Sequence, residues 1–226
     1  MPNIKSRKQV MVDLETLGLE EDAIVFSIGV VIYDGNWNEL SAFSVNLDIE
    51  EQQNELNRKL DPDTKAWWSK QDVSIWNKCT KDSVYLVEGL TLLVNYLERE
   101  LGDPKKAIYW GNSAIFDLLK INSLFNDLNF YRLAGVLPRN VPSNVLDFKI
   151  DEYYMRCYKS VRDVFRDYHG VKNSNSNVTH YPIDDARTQG YFMKEISKTN
   201  CKQNAKNLNT ENKTSMQIGD TVNRVF

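Results

Sequence analysis

Cysteine is scarce in this chain. The three present, Cys79, Cys157 and Cys201, are odd in number, far apart and without C-x-x-C spacing. Neither a disulfide framework nor a zinc site fits that pattern, which points instead to a reducing, cytoplasmic compartment. Long apolar runs are also lacking. No stretch suits a bilayer span, and the opening M-P-N-I-K-S-R-K-Q-V has no signal-peptide core, so a soluble protein with no membrane partner is expected. Excess positive charge is absent as well. A net charge of −3 gives no global attraction to nucleic acid, so any polyanion partner needs local basic patches or bound metal ions. Histidine occurs only twice, at His169 and His180, and no internal repeat is visible.

The 226 residues suit one domain with a full core. Lys8 to Leu14 reads as a strand, followed by a turn over Glu20 to Asp22. Ala23 to Tyr33, A-I-V-F-S-I-G-V-V-I-Y, is nearly continuously apolar and β-branched, as a central strand covered on both faces would be. Asp34-Gly35-Asn36 closes it with turn chemistry, and Leu40 to Asp48 alternates as a half-buried strand does. Together these predict an antiparallel meander.

Glu50 to Lys81 is polar and helix-biased. Asp61 or Asp63 can cap a short helix carrying Trp67 and Trp68. Adjacent tryptophans on a helix cannot both enter one core, so either a cleft position or a structural clamp is open to them. Ser83 opens an amphipathic helix with Leu86, Leu90, Leu93 and Leu97 on one face, ending before Gly102. Ala107 to Gly111 reads as a short buried strand, followed by a helix from Ser113 to Asn129 with Asp117 in its first turns. Asn144 to Phe148 is the candidate for a last strand, and a helix is expected from Asp151 to Tyr168. The polar side of that helix carries Arg156, Lys159, Arg162 and Arg166, for which a solvated face is the default reading. Residues 171–179 have the composition of a mobile loop, and Asp184 opens a final helix with acids in its first turn. Residues 1–196 are expected to form the domain and 197–226 a polar, flexible tail.

The chemistry is carried by acids. Asp13 and Glu15 in V-M-V-D-L-E-T-L-G-L alternate on the first strand and so face the same side. D-x-E is a common tripeptide, but two buried like charges call for a cation. Asp117 at the start of a strand-following helix and Asp185 at the start of the last one can converge on the same strand end. His180 stands five positions before Asp185. Asp184 also lies in this region, but neighbouring helical residues point about 100° apart, and the spacing from His180 selects Asp185.

D-L-E-T at Asp13 to Thr16, F-D at Phe116 to Asp117, and H-Y-P-I-D-D-A at His180 to Ala186 resemble, in order, the three motifs of the DnaQ-like DEDDh 3′→5′ exonucleases. T-K-A-W-W-S-K-Q at Thr64 to Gln71 and R-D-V at Arg162 to Val164 resemble segments of the phage exonuclease A (DexA)-like subgroup, which makes a phage or bacterial origin plausible by resemblance. The resemblance implies an α/β, RNase H-like fold with a mixed five-stranded sheet flanked by helices. It implies that Asp13, Glu15, Asp117 and Asp185 hold two Mg²⁺ or Mn²⁺ ions and that His180 is the general base. Thr16 and Leu17 would meet the terminal nucleotide at the 3′ end of single-stranded DNA or RNA, with DNA favoured. Leu17 stands where a second Thr is frequent, which leaves its contact with the base open. Trp67, Trp68 and Arg162 are further candidate substrate contacts. The alternative is a non-catalytic nucleic-acid- or partner-binding module on the same fold, and monomer and homodimer both remain open.

Overall fold

The computed structural model describes residues 7–137, 140–169 and 179–198. The apolar stretches of the first third form the expected meander. β1 (Gln9–Thr16) pairs antiparallel with β2 (Val25–Tyr33), which pairs antiparallel with β3 (Glu39–Asn46). β4 (Ile108–Gly111) and β5 (Met155–Cys157) add in parallel on the other side of β1, giving the order β3-β2-β1-β4-β5. β2 is buried along its whole length, as its unbroken run of β-branched residues requires.

Short helices α1 (Ile49–Asn54), α2 (Pro62–Trp68) and α3 (Val73–Thr80) follow β3. Asp61, not Asp63, caps α2, accepting from the backbone N–H groups of Asp63 and Thr64. The long amphipathic helix α4 (Leu86–Leu101) buries its four expected leucines. A π-helical turn, Ala114–Leu118, leads into α5 (Leu119–Leu133). Helices α4 and α5 cover one sheet face, their leucines packing on Val10, Val12, Leu14, Val30 and Ile32. Each such buried Leu contributes about 1.5–3 kcal/mol.

Two sequence expectations change in the next segment. Asn144 to Phe148 is not a strand: Ser143–Leu146 is a single helical turn, α6, with Val145 fully buried. Nor does one helix run from Asp151. Glu152–Tyr154 is a 3-10 turn, Met155–Cys157 is β5, and α7 (Tyr158–His169) begins only there. Arg156 therefore sits on a strand, and the expected basic stripe is not one helix face. The loop expected over 171–179 lies outside the described residues except for Thr179, as does the tail beyond residue 198.

The last helix, α8, spans 182–198. Pro182 occupies its first position, where a missing N–H costs nothing. Phe192, Met193 and Ile196 pack with Met11, Val31, Tyr33 and Tyr158 on the second sheet face. Gly29 of β2 sets how closely α8 starts over the sheet. A Cβ on Gly29 would lie 2.4 Å from the carbonyl carbon of Pro182 and 2.5 Å from the nitrogen of Ile183, so only glycine fits beneath that helix start. No helix of the described residues is long and apolar enough to cross a membrane.

Candidate active site

Strand alternation turns Val10, Val12 and Leu14 into the main core and leaves Asp13 and Glu15 on the α8 side. Asp13 stands opposite Gly29, and α8 begins directly over that pair. Asp185, in the first turn of α8, is thereby brought to the same strand end. Asp117 arrives from the other side. Its Oδ2 accepts from the backbone N–H of Ser113 at 3.0 Å, and a Cβ on Gly111 would stand 2.8 Å from both the Cβ and the Oδ2 of Asp117. The π-helical turn, a feature frequent at functional sites, packs its acid into the space that glycine leaves.

The end of β1 is tied down by its neighbours. The register of β1 and β2 slips between Glu15 and Thr16, where β2 carries one extra residue, Phe26. That bulge bends the strand beside the acids and sends the Phe26 ring against Trp68 and Trp76, each 5.1 Å away between centroids. Trp68 is buried and its Nε1 donates to the carbonyl of Thr16 at 3.1 Å, so this tryptophan clamps the strand end. The Thr16 hydroxyl donates to the Gly18 carbonyl at 2.9 Å. Leu17 is buried with Ile24, Phe26, Trp68 and Cys79, whereas Leu19 beyond it is exposed.

Glu15, Asp117 and Asp185 are buried, and among the described residues none of the four acids forms an ion pair with Lys or Arg. Their carboxyl groups titrate abnormally as a result. Burial, then the charges of Asp185 and Asp117, push Glu15 from its ordinary 4.5 up to about 8. Burial moves Asp117 up to about 7, against hydrogen bonds from Ser113 and Asn112 that favour its charged form. Asp13 is raised well above its usual range by burial and by Asp117, Glu15 and Asp185, with a hydrogen bond from Gln189 acting the other way. Asp185 is also raised by burial, opposed chiefly by Thr179. Lys120, buried on α5, donates to the carbonyls of Leu19 and Glu20 rather than to a carboxylate.

His180 sits in the left-handed region, φ 53°, a conformation that costs a non-glycine residue about 1–3 kcal/mol and clusters at active sites. Both backbone groups are held. Its N–H donates to Asp185 Oδ2 at 3.0 Å, and its carbonyl accepts from the Cys79 thiol at 3.6 Å. Thr179 fixes the other Asp185 oxygen, donating through N–H and hydroxyl at 2.8 and 3.0 Å. The imidazole meets the edge of Trp67 at 4.8 Å between centroids. One ligand atom each from Glu15, His180 and Asp185 lies within 4.8 Å of the others. An oxygen-rich donor set of unpaired, buried carboxylates fits a hard divalent cation such as Mg²⁺ or Mn²⁺.

The other residues singled out in the sequence are also placed. Asp184 turns away, within 3.8 Å of Lys78 and 3.7 Å of Arg187. Trp67 is 41% exposed beside His180. Arg162 on α7 contacts Asp163 at 3.0 Å and lies over the Tyr158 ring. Sequence reading missed Gln189, whose Nε2 donates to Asp13 Oδ1 at 2.8 Å, although its position one helical turn after Asp185 was a usable signal. Gly29, Gly111 and Cys79 were missed too, because only the folded backbone shows what approaches them.

Comparison with known proteins agrees with this geometry. Residues 8–197 match the family model described as the 3′-5′ exoribonuclease Rv2179c-like domain. An exodeoxyribonuclease of Enterobacteria phage T4 is 24% identical over 134 residues, covering 56% of this chain and 58% of the phage protein. Among solved structures, exonuclease I superposes with a TM-score of 0.54 at 10% identity, covering 85% of this chain and 41% of its own. The zinc-bound complex of Escherichia coli exonuclease I with single-stranded DNA gives 0.54 at 12% identity, covering 86% and 41%. The chain thus spans less than two thirds of these relatives. At such identities the structural likeness carries the fold alone, which is RNase H-like.

Proposed function

The chain belongs to the family of 3′-5′ exoribonuclease Rv2179c-like domains, and from that premise we propose that it is a metal-dependent 3′→5′ exonuclease releasing nucleoside 5′-monophosphates from single-stranded nucleic acid. The grouping of Glu15, His180 and Asp185 within 4.8 Å, with Asp13 and Asp117 outside that group but near enough for the acids to raise one another's carboxyl pKa values, supports this reading most. Such a cluster persists only with protons or cations on it. The four carboxylates would hold two Mg²⁺ or Mn²⁺ ions, which when bound supply charge stabilisation to the attacking and leaving oxygens.

The remaining work falls to the chain. His180 takes the proton of the attacking water through an imidazole nitrogen, and imidazole is the side chain suited to that task near pH 7. Asp185 and Cys79, by holding the His180 backbone on both sides, fix where that nitrogen stands. Thr16, at the end of β1, would meet the terminal nucleotide, whereas Leu17, expected to contact the base, is buried with Ile24, Phe26, Trp68 and Cys79 and would only support the strand end from within. Trp67, exposed next to the base, offers a ring for stacking, Trp68 supports it from below, and Arg162 is the cation assigned to a phosphate.

Single-stranded DNA is the favoured substrate, in line with the naming of the phage relative and the DNA held by the E. coli structures. The family description favours RNA as the second reading. Matched 5′-labelled DNA and RNA oligomers incubated with Mg²⁺, Mn²⁺ or EDTA test both. A ladder shortening from the 3′ end, abolished by EDTA, is expected, and it should run faster on DNA. Binding without cleavage under either cation would establish the non-catalytic module instead.

A further inference from the structure

We infer that Gln189 is a positioning residue that presents Asp13 to the cation, an inference resting on the reading of Asp13 as a metal ligand. Gln189 is only 7% exposed and lies one helical turn beyond Asp185, so both project from the same face of α8. Its Nε2 donates to Asp13 Oδ1 at 2.8 Å. The other oxygen of Asp13 accepts no hydrogen bond among the described residues. The amide therefore occupies one carboxylate oxygen and leaves its partner for a ligand.

The opposite end of the same amide marks it as more than a packing residue. Gln189 Oε1 is buried and has no hydrogen-bond partner among the described residues. A buried amide carbonyl left without a donor destabilises the fold, and an apolar residue of the same shape would escape that cost. What the amide provides instead is a hydrogen bond to one oxygen of Asp13, which fixes the orientation of that carboxylate and turns its other oxygen toward the site. It also joins α8 to β1, so that Asp13 and Asp185 are set relative to each other through one side chain. Partners that orient a ligating carboxylate in this way typically change metal affinity by about 10–100-fold when removed.

The test is Mn²⁺ binding, followed by calorimetry and by the EPR signal of free Mn²⁺, on the whole chain without substrate. Gln189→Met keeps the length and removes both polar ends. Its dissociation constant for Mn²⁺ should rise on the order of tenfold. In an Asp13→Asn background, where the ionised partner is gone, the same substitution should change affinity by less than about twofold, as expected when one residue acts through the other. Should Gln189→Met fold poorly, Gln189→Asn, too short to reach Asp13, is expected to give the same loss. Gln189 variants that bind Mn²⁺ like the parent, or that lose equal affinity with and without Asp13, would overturn the inference. If Asp13→Asn itself leaves Mn²⁺ binding intact, the assignment of Asp13 as a ligand fails, which is a separate result.

Discussion

Replacing Glu15 with glutamine should stabilise the metal-free protein while removing its activity. The Glu15 carboxyl rises from 4.5 to about 8 because burial strips its water and because Asp185 and Asp117 face it. At pH 7 the unfolded carboxyl is ionised and the folded one is mostly protonated, so folding must take up a proton. At about 1.36 kcal/mol for each pH unit between 4.5 and 7, that uptake costs roughly 3 kcal/mol. Glutamine has nearly the same shape and no proton to take up. For a domain of this size each kcal/mol moves the Tm by about 2–4 °C, so in EDTA at pH 7 the variant should melt about 6–12 °C above the parent. A carboxyl whose folded pKa lies above its unfolded one leaves stability intact below about 4.5 and erodes it as pH rises toward about 8. The gap should therefore vanish near pH 4.5, widen through neutrality and level off above pH 8. Calorimetric melts across that range, with and without Mn²⁺, read it directly, and Mn²⁺ should stabilise the parent more than the variant. A variant no more stable than the parent at pH 7, or a gap that ignores pH, would refute the description of Glu15 as a desolvated acid among acids.

Gly29→Ala should cost activity as well as stability. Its Cβ would press on backbone atoms of Pro182 and Ile183, shifting α8 with Asp185 at a folding cost of about 1–3 kcal/mol and, in the protein that remains folded, a rate loss of about a hundredfold; a parental rate would show that this contact does not set the site. Trp68→Phe leaves the buried Thr16 carbonyl without its donor, and a loss of about 1–3 kcal/mol is expected in denaturant melts. Trp67→Ala, by contrast, removes a half-exposed ring, so KM for oligonucleotides should rise while the Tm stays within about 2 °C.

The meander was legible because β2 and β3 carry opposite signals, an unbroken apolar run and a strict alternation, that leave little room for another assignment. The helix over Leu86 to Leu101 was equally plain from its leucine spacing. β5 was not. It is three half-buried residues long, too short for a period of two to show, and its parallel pairing with β4 is a tertiary choice that local sequence does not record. Val145 and Leu146 misled for a related reason, since two adjacent apolar residues fit a buried helical turn as well as a strand. At the site, the acids and His180 were readable because they recur at fixed offsets. The π-helical turn that lifts Asp117 toward Gly111, and the tight seat of α8 over Gly29, depend on backbone approach and leave in the sequence only glycines among other glycines.

In the proposed reaction Asp13, Glu15, Asp117, Asp185 and His180 act as one metal-dependent centre. Its most direct test is the rate of mononucleotide release from a 3′-labelled single strand in Mg²⁺, compared between the parent chain and Asp13→Asn. The expected result is at least about a hundredfold loss, since a ligand to a charge-stabilising cation is removed, and no release by either protein in EDTA. An Asp13→Asn variant that matches the parent rate, or release that continues in EDTA, would contradict it.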